Sequence, residues 1–340
     1  MNSEENTLLQ TAFEIIAAGN VLLCPSWGEY PVYDDLAYDV LCLDPVKMAA
    51  YGNAIRHQVK DKIVVEIGTG SRAPLALMCA EAGAKKVYAI EAIEEAAKEA
   101  ARLIKSKNLE HKIQVIAGYS TVVELPEPAD ICISEIIGNI GSSEGAISII
   151  NSAAHFFKDK IRSIPERCAT LMAPAFLPDN LYESDLTREV LQGYVQQMYQ
   201  AVGHEFPITR YAIYNFPKSN IIAAPEIFED IHFNQNPEPD LDNSLEFYIA
   251  EDSKFDGFLF WVNLYVDKDN LVDTLEGSAS SWAPAYLKAP EMKLEKHDVL
   301  KVNCIRKLSR NQINPDYFLN CILTRGEREI EQFKIESPYC

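Results

Sequence analysis

The apolar positions change period three times along the 340 residues. Leu9, Ala12, Phe13 and Ile16 recur at helical spacing over 7–18 and Gly19-Asn20 closes the run, so the pattern predicts an amphipathic lead helix. A Tyr- and Asp-rich stretch from Tyr30 to Asp44 then passes through Pro45, a favoured first helical residue, into a second helix ending near His57. From Ile63, short β-branched runs at 63–67, 87–90, 113–116 and 131–134 alternate with Ala-rich helical runs at 74–82 and 92–105, which argues for a parallel sheet. After the proline-punctuated stretch 174–178, one helical pattern (Leu186, Val190, Tyr194, Met198) gives way to strand-like runs. The clearest are 258–266, 299–305 and 317–323. The chain thus reads as α/β: a helical segment over 1–60, a doubly wound domain over 61–175, and a mainly-β, sandwich- or barrel-like domain over 176–340.

Composition narrows the function classes. Apolar residues make up 48% and charged residues 24%, which is ordinary for a globular protein. No apolar run reaches the eighteen residues of a membrane span, and the first five residues are acidic where a secretory signal would be basic, so a cytoplasmic protein is expected. Eight cysteines without a CxxC pair predict reduced thiols and no metal. Fifty acidic against 31 basic residues, a net charge of −19, disfavour nucleic acid and membrane surfaces and favour a cationic partner.

Two constellations carry chemistry. The run Ile63 to Ile67 enters Gly68-Thr69-Gly70 and a helix follows, so backbone N–H groups face a ligand. Glu91, at the end of the next strand, is placed to accept the hydroxyls of an adenosine ribose. Gly68, Gly70 and Ala73 also satisfy the G-x-G-x-x-A dinucleotide fingerprint, which leaves an NAD oxidoreductase open. Glu66, just before the turn, suits an amine-bearing ligand better than a pyrophosphate, and no acid–base set for hydride transfer follows. Second, the fourth strand ends in Ser134-Glu135, and a glycine-containing loop leads to Glu144 at the start of a helix. Both carboxylates can turn toward one pocket at the carboxyl edge of the sheet. Two acids in one pocket call for a cation between them.

Glu135 to Glu144, with Gly138 between, resembles the double-glutamate loop of protein arginine methyltransferases, which are class I methyltransferases with a Rossmann-like domain followed by a β-barrel-like domain. Four further stretches agree. Val64 to Gly70 is similar to the family's first S-adenosyl-L-methionine (SAM) motif, and Tyr88 to Glu91 to its ribose-binding strand end. Tyr119-Ser120-Thr121 resembles the adenine-side segment of the monomethylating branch. Tyr38 to Leu41, Asp44 to Lys47 and Ser281-Trp282-Ala283-Pro284 resemble segments of the symmetric-dimethylating branch. The resemblance implies that Glu66, Gly68, Gly70 and Glu91 hold SAM, with Lys47 on the methionyl carboxylate, Tyr38 over the sulfonium, and Ser120 and Thr121 beside the adenine. Glu135 and Glu144 would grip the guanidinium of an arginine-containing peptide or protein, with Leu41, Ser281 and Trp282 around the acceptor. Three departures stand out: Arg72 near the usual third glycine with one extra residue before the helix, Ser281 where most of the family has histidine, and Leu41 where the symmetric branch has an aromatic. A small guanidine or amine as acceptor, and a SAM-binding module without turnover, are the alternatives. The aromatic-rich stretch 199–216 would be a dimerisation arm, giving a homodimer.

Overall fold

The computed structural model describes residues 19–26, 44–179, 181, 192–193, 195–196, 198–200, 203–206, 208–276 and 282–339. The expected lead helix, Tyr38, Leu41, Ser281 and most of the 186–198 helical pattern lie outside the described residues.

The chain enters with strand β1 (Leu22–Ser26) and reaches helix α1 (Pro45–Gln58). Asp44 caps α1: its carboxylate accepts the Val46 and Lys47 N–H groups at 3.1 and 2.9 Å, Pro45 occupies the first turn, and Arg56 and His57 sit at the negative end of the dipole. Next come β2 (Ile63–Ile67), α2 (Pro74–Glu81), β3 (Lys86–Glu91), α3 (Glu94–Ser106), β4 (Ile113–Ala117), β5 (Ile131–Ser134), α4 (Ala146–Ser152) and β6 (Ser163–Ile164). The five strands form a parallel sheet in the order β4-β3-β2-β5-β6, so the chain reverses direction across the sheet at the β2/β5 pair. The glycine turn after β2 and the glutamate loop after β5 therefore leave neighbouring strand ends, at the switch point where such sheets bind ligands.

The remaining strands are β7 (Arg167–Ala175), β8 (Arg210–Tyr214), β9 (Glu226–His232), β10 (Leu241–Tyr248), β11 (Ser253–Asp267), β12 (Asn270–Asp273), β13 (Ala285–Leu294), β14 (Asp298–Leu308), β15 (Pro315–Arg325) and β16 (Arg328–Ser337). They build two antiparallel sheets, β1-β8-β13-β11-β7-β9 with β12 beside β11, and β10-β14-β15-β16. Phe228, Phe258 and Phe260 of the first face Leu300, Val302 and Leu319 of the second across one core. Apolar residues alternate along β14 and β15, as expected for strands with one buried face.

Three boundaries differ from the sequence reading. The antiparallel part begins at β7 rather than after residue 175: β7 is buried along almost its whole length, so its apolar run carries no alternation to mark the change of sheet. The segment 1–60 is not wholly helical, because β1 pairs antiparallel with β8 and belongs to the β part. The stretch expected as a dimerisation arm is, from Arg210, strand β8 held between β1 and β13, with Ile213 fully buried in the chain's own core. A strand needs neighbours for its backbone groups, and here they come from the same chain. The two parts share one core: Tyr51, Ala54 and Ile55 of α1 and Leu75 and Cys79 of α2 pack together with Val262, Leu264 and Trp282 of the β part.

Candidate active site

The glycine turn closes over β3. The N–H groups of Gly68 and Thr69 both donate to the carbonyl of Ile90, at 3.0 and 3.1 Å. Gly68 and Gly70 have φ of +78° and +64°, conformations that side chains disfavour, and they let the turn fold this sharply. Ala73 also has a positive φ, +46°, and directly precedes Pro74, the first residue of α2.

Glu91 accepts the Gly70 N–H at 2.8 Å on one oxygen and the Ile93 N–H at 2.9 Å on the other. Each oxygen keeps a second lone pair for a ligand hydroxyl. Glu66 is buried and accepts the Thr69 hydroxyl at 2.7 Å. Burial pushes its carboxyl up to about 7, with nearby Glu91 adding to the rise and the Thr69 hydrogen bond opposing it. Gly118 donates to the Glu91 carbonyl at 2.8 Å, which brings Ser120, buried, to the same edge as Glu91, whereas Thr121 is exposed. The Ser71 hydroxyl in the turn and the Ser134 hydroxyl before Glu135 are buried without a hydrogen-bond partner. Such a group costs about 1–3 kcal/mol. A polar ligand over the turn would relieve the cost at Ser71, and the donors and acids around it fit a nucleoside carrying an amino acid.

Lys47, fully buried, reaches across from α1 and donates to Glu135 at 3.1 Å, while its ammonium lies 4.6 Å from the ring centroid of Trp282. A cation for Glu135 is thus supplied from within the chain. Tyr51, one turn further along α1, donates to the carbonyl of Ser134 at 2.9 Å and so fixes the end of β5 from which Glu135 projects. Glu144, half-buried, sits just ahead of Gly145, the residue preceding α4. A Cβ on Gly138 would meet the Ser143 hydroxyl at 2.0 Å and the Glu144 side chain at 3.3 Å, so the loop folds back on itself only with glycine there.

Lys47, Glu135 and Trp282 are therefore in contact, and Glu66, Gly68, Gly70, Glu91 and Ser120 gather at the adjoining strand ends. Tyr51 and Thr69 complete the site and are invisible to periodicity, because Tyr51 occupies a buried helical position and Thr69 a turn.

The family model described as PRMT5 arginine-N-methyltransferase matches residues 23–164. Histone-arginine methyltransferase CARMER of Drosophila grimshawi is 30% identical over 252 residues, covering 70% of this chain and 44% of that protein. The Drosophila ananassae protein of the same name is 29% identical and is covered to 45%. The chain thus spans less than half the length of these curated relatives. Among solved structures, Arabidopsis thaliana protein arginine methyltransferase 10 superposes with a TM-score of 0.73 at 23% identity over 89% of this chain and 97% of that one. The Trypanosoma brucei PRMT1 enzyme-prozyme complex with AdoHcy gives 0.66 at 17% identity over 88% and 96%. These two show the fold. The glycine turn, the strand-end acids and the double-glutamate loop all lie within the stretch that the family model matches, and it is to protein arginine methyltransferases that this chain is similar.

Proposed function

We propose that this chain transfers a methyl group from SAM to a guanidinium nitrogen of arginine in a protein or peptide. The observation that carries the proposal is the cation already seated in the site: Lys47 on Glu135, against the face of Trp282. A carboxylate beside an aromatic wall is the surrounding that receives a flat, delocalised cation.

When bound, SAM supplies an electrophilic methyl on a sulfonium. The residues that would hold it are Gly68, Gly70 and Ser71 of the turn, Glu91 at the ribose, Glu66 near the amine and Ser120 at the adenine. Lys47 uses one of its three N–H donors on Glu135, which leaves others for a methionyl carboxylate. Arginine stays protonated at cellular pH and is a poor nucleophile until charge is drawn from the attacking nitrogen. Glu135 and Glu144 do this by holding the other nitrogens, and the positioning they supply carries much of the rate. One N–C bond forms as one S–C bond breaks, and the proton shed by the attacking nitrogen passes to a carboxylate of the pair.

The proposal includes a cytoplasmic location, where the six described cysteines, all free, remain thiols. Its direct test is mass spectrometry of arginine peptides and of free guanidines incubated with labelled SAM. Label on peptide arginine is expected; label on free guanidines alone would overturn the acceptor, and no label on either would overturn transfer.

A further inference from the structure

The loop between the two glutamates is held from below by a buried polar cluster in the β part. Glu229 of β9 accepts the Ser142 N–H at 3.0 Å and the Thr170 hydroxyl at 2.8 Å on one oxygen. Its other oxygen accepts the Ser142 hydroxyl at 2.7 Å and the Arg306 guanidinium at 2.5 Å. Ser142 thus meets Glu229 twice, and its hydroxyl also meets that of Tyr317 at 2.8 Å. On either side, Gly141 donates to the Thr170 hydroxyl at 2.9 Å and the Ser143 carbonyl accepts from Asn314 at 3.0 Å. Arg306 is itself fixed by the carbonyls of Pro239 and Glu238, at 2.7 and 2.8 Å.

An acid in a regular strand at this position would point outward. The β7/β9 ladder shifts register between Thr170 and Leu171, and Phe228 and Glu229 are consecutive buried residues in consequence. Bulges of this kind re-aim a side chain beside functional sites. Holding two sheets together does not require an ion pair, since apolar side chains of similar volume fill such space at least as stably. What apolar residues cannot do is accept hydrogen bonds from a particular loop residue.

We infer that Glu229, braced by Arg306, is a positioning residue that sets the place of Glu144 through Ser142. The inference rests on the methyl-transfer reading above and adds a third acid, from the β part, to the two in the loop. It also makes the β part a functional component of the site rather than a platform for the acceptor alone.

The test uses the full chain carrying Glu229→Leu with Arg306→Met, which removes the clamp without leaving a lone buried charge, and separately Ser142→Ala. Wild type and variants are compared by thermal melting, SAM titration, steady-state transfer to an arginine peptide and amide hydrogen exchange. In the double variant, exchange is expected to quicken at 141–145 but not in β2 to β5, with SAM affinity within about twofold of wild type. The expected kcat is lower by about tenfold to a hundredfold with little change in KM, the scale of a small misplacement of a catalytic group. Ser142→Ala should shift exchange and kcat in the same direction by less, and it decides the matter if the double variant does not fold. Unchanged loop exchange with unchanged kcat would overturn the inference while leaving the methyl-transfer reading intact. Wild type that transfers nothing would overturn that reading, and the exchange arm would still decide the role of Glu229.

Discussion

Lys47 and Glu135 form an ion pair whose lysine is fully buried and whose glutamate is mostly so. Taking such charges out of water is costly, and a fold needs no cation there, so the pair is best understood through the ligand it prepares for. Glu135→Gln and Glu144→Gln each keep shape and lose charge. We expect each to lower kcat by about a hundredfold or more, the effect of removing a preorganised electrostatic contact, with SAM affinity retained in a binding titration. Either variant at full turnover would remove the guanidinium clamp from the mechanism. Glu66 makes a pH prediction. Its carboxyl titrates near 7 in the folded chain and near the ordinary value of 4.5 when unfolded. Between those values the native state holds a proton that the unfolded chain has released. The stability it contributes is therefore whole below about 4.5 and is lost as pH rises through about 7. Glu66→Gln should flatten the pH dependence of the urea midpoint across that window, and an unchanged slope would mean that other groups set it.

At the scale of elements, α1 does two jobs through residues one turn apart: Lys47 reaches Glu135, and Tyr51 pins the carbonyl before it. Both depend on where α1 begins. Asp44 is buried and takes two N–H groups, so Asp44→Ala is expected to cost about 1–2 kcal/mol in chemical denaturation, while Asp44→Asn stays within a few tenths. Because the Lys47 N–H is one of the two, Asp44→Ala should also weaken SAM binding. Loss of stability with unchanged SAM affinity would show that α1 carries Lys47 correctly without its cap. The parallel part was legible strand by strand: the four predicted runs are β2 to β5 to within a residue or so, and the second helix ends one residue beyond His57. Short strands alternating with Ala-rich helices admit few other arrangements. The long strands β11, β14 and β15 were equally plain, but not which sheet each joins, because pairing partners lie far apart along the chain.

For the whole molecule, the shared core through α1, α2 and β11 joins the parallel sheet and the β part into one packed unit. Around the carboxyl end of the parallel sheet, Ile93, Tyr119 and Val122 remain exposed, at 45%, 64% and 73%. We propose the homodimer that the family resemblance implies, with these exposed apolar side chains covered by the second copy. Sedimentation is expected to show a dimer at micromolar concentration that Val122→Asp weakens. A wild-type monomer with full turnover would refute it. Tyr211→Asp or Ile213→Asp would be poor probes of assembly, since both lie in β8 inside the chain's own sheet.

What the sequence by itself determined was local: a glycine turn after a strand, an acid at the next strand end, two glutamates nine apart after the fourth strand. Each is a matter of neighbours along the chain, where backbone geometry leaves few choices. Only the tertiary structure decided that Lys47 would sit on Glu135 under Trp282, that β1 would join the β part, and that Glu229, one acid among fifty, would turn inward at a bulge to hold Ser142. Those contacts join residues 88, 87 or more positions apart, and a carboxylate's role there is set by what surrounds it once buried, which no pattern of periods along the chain records.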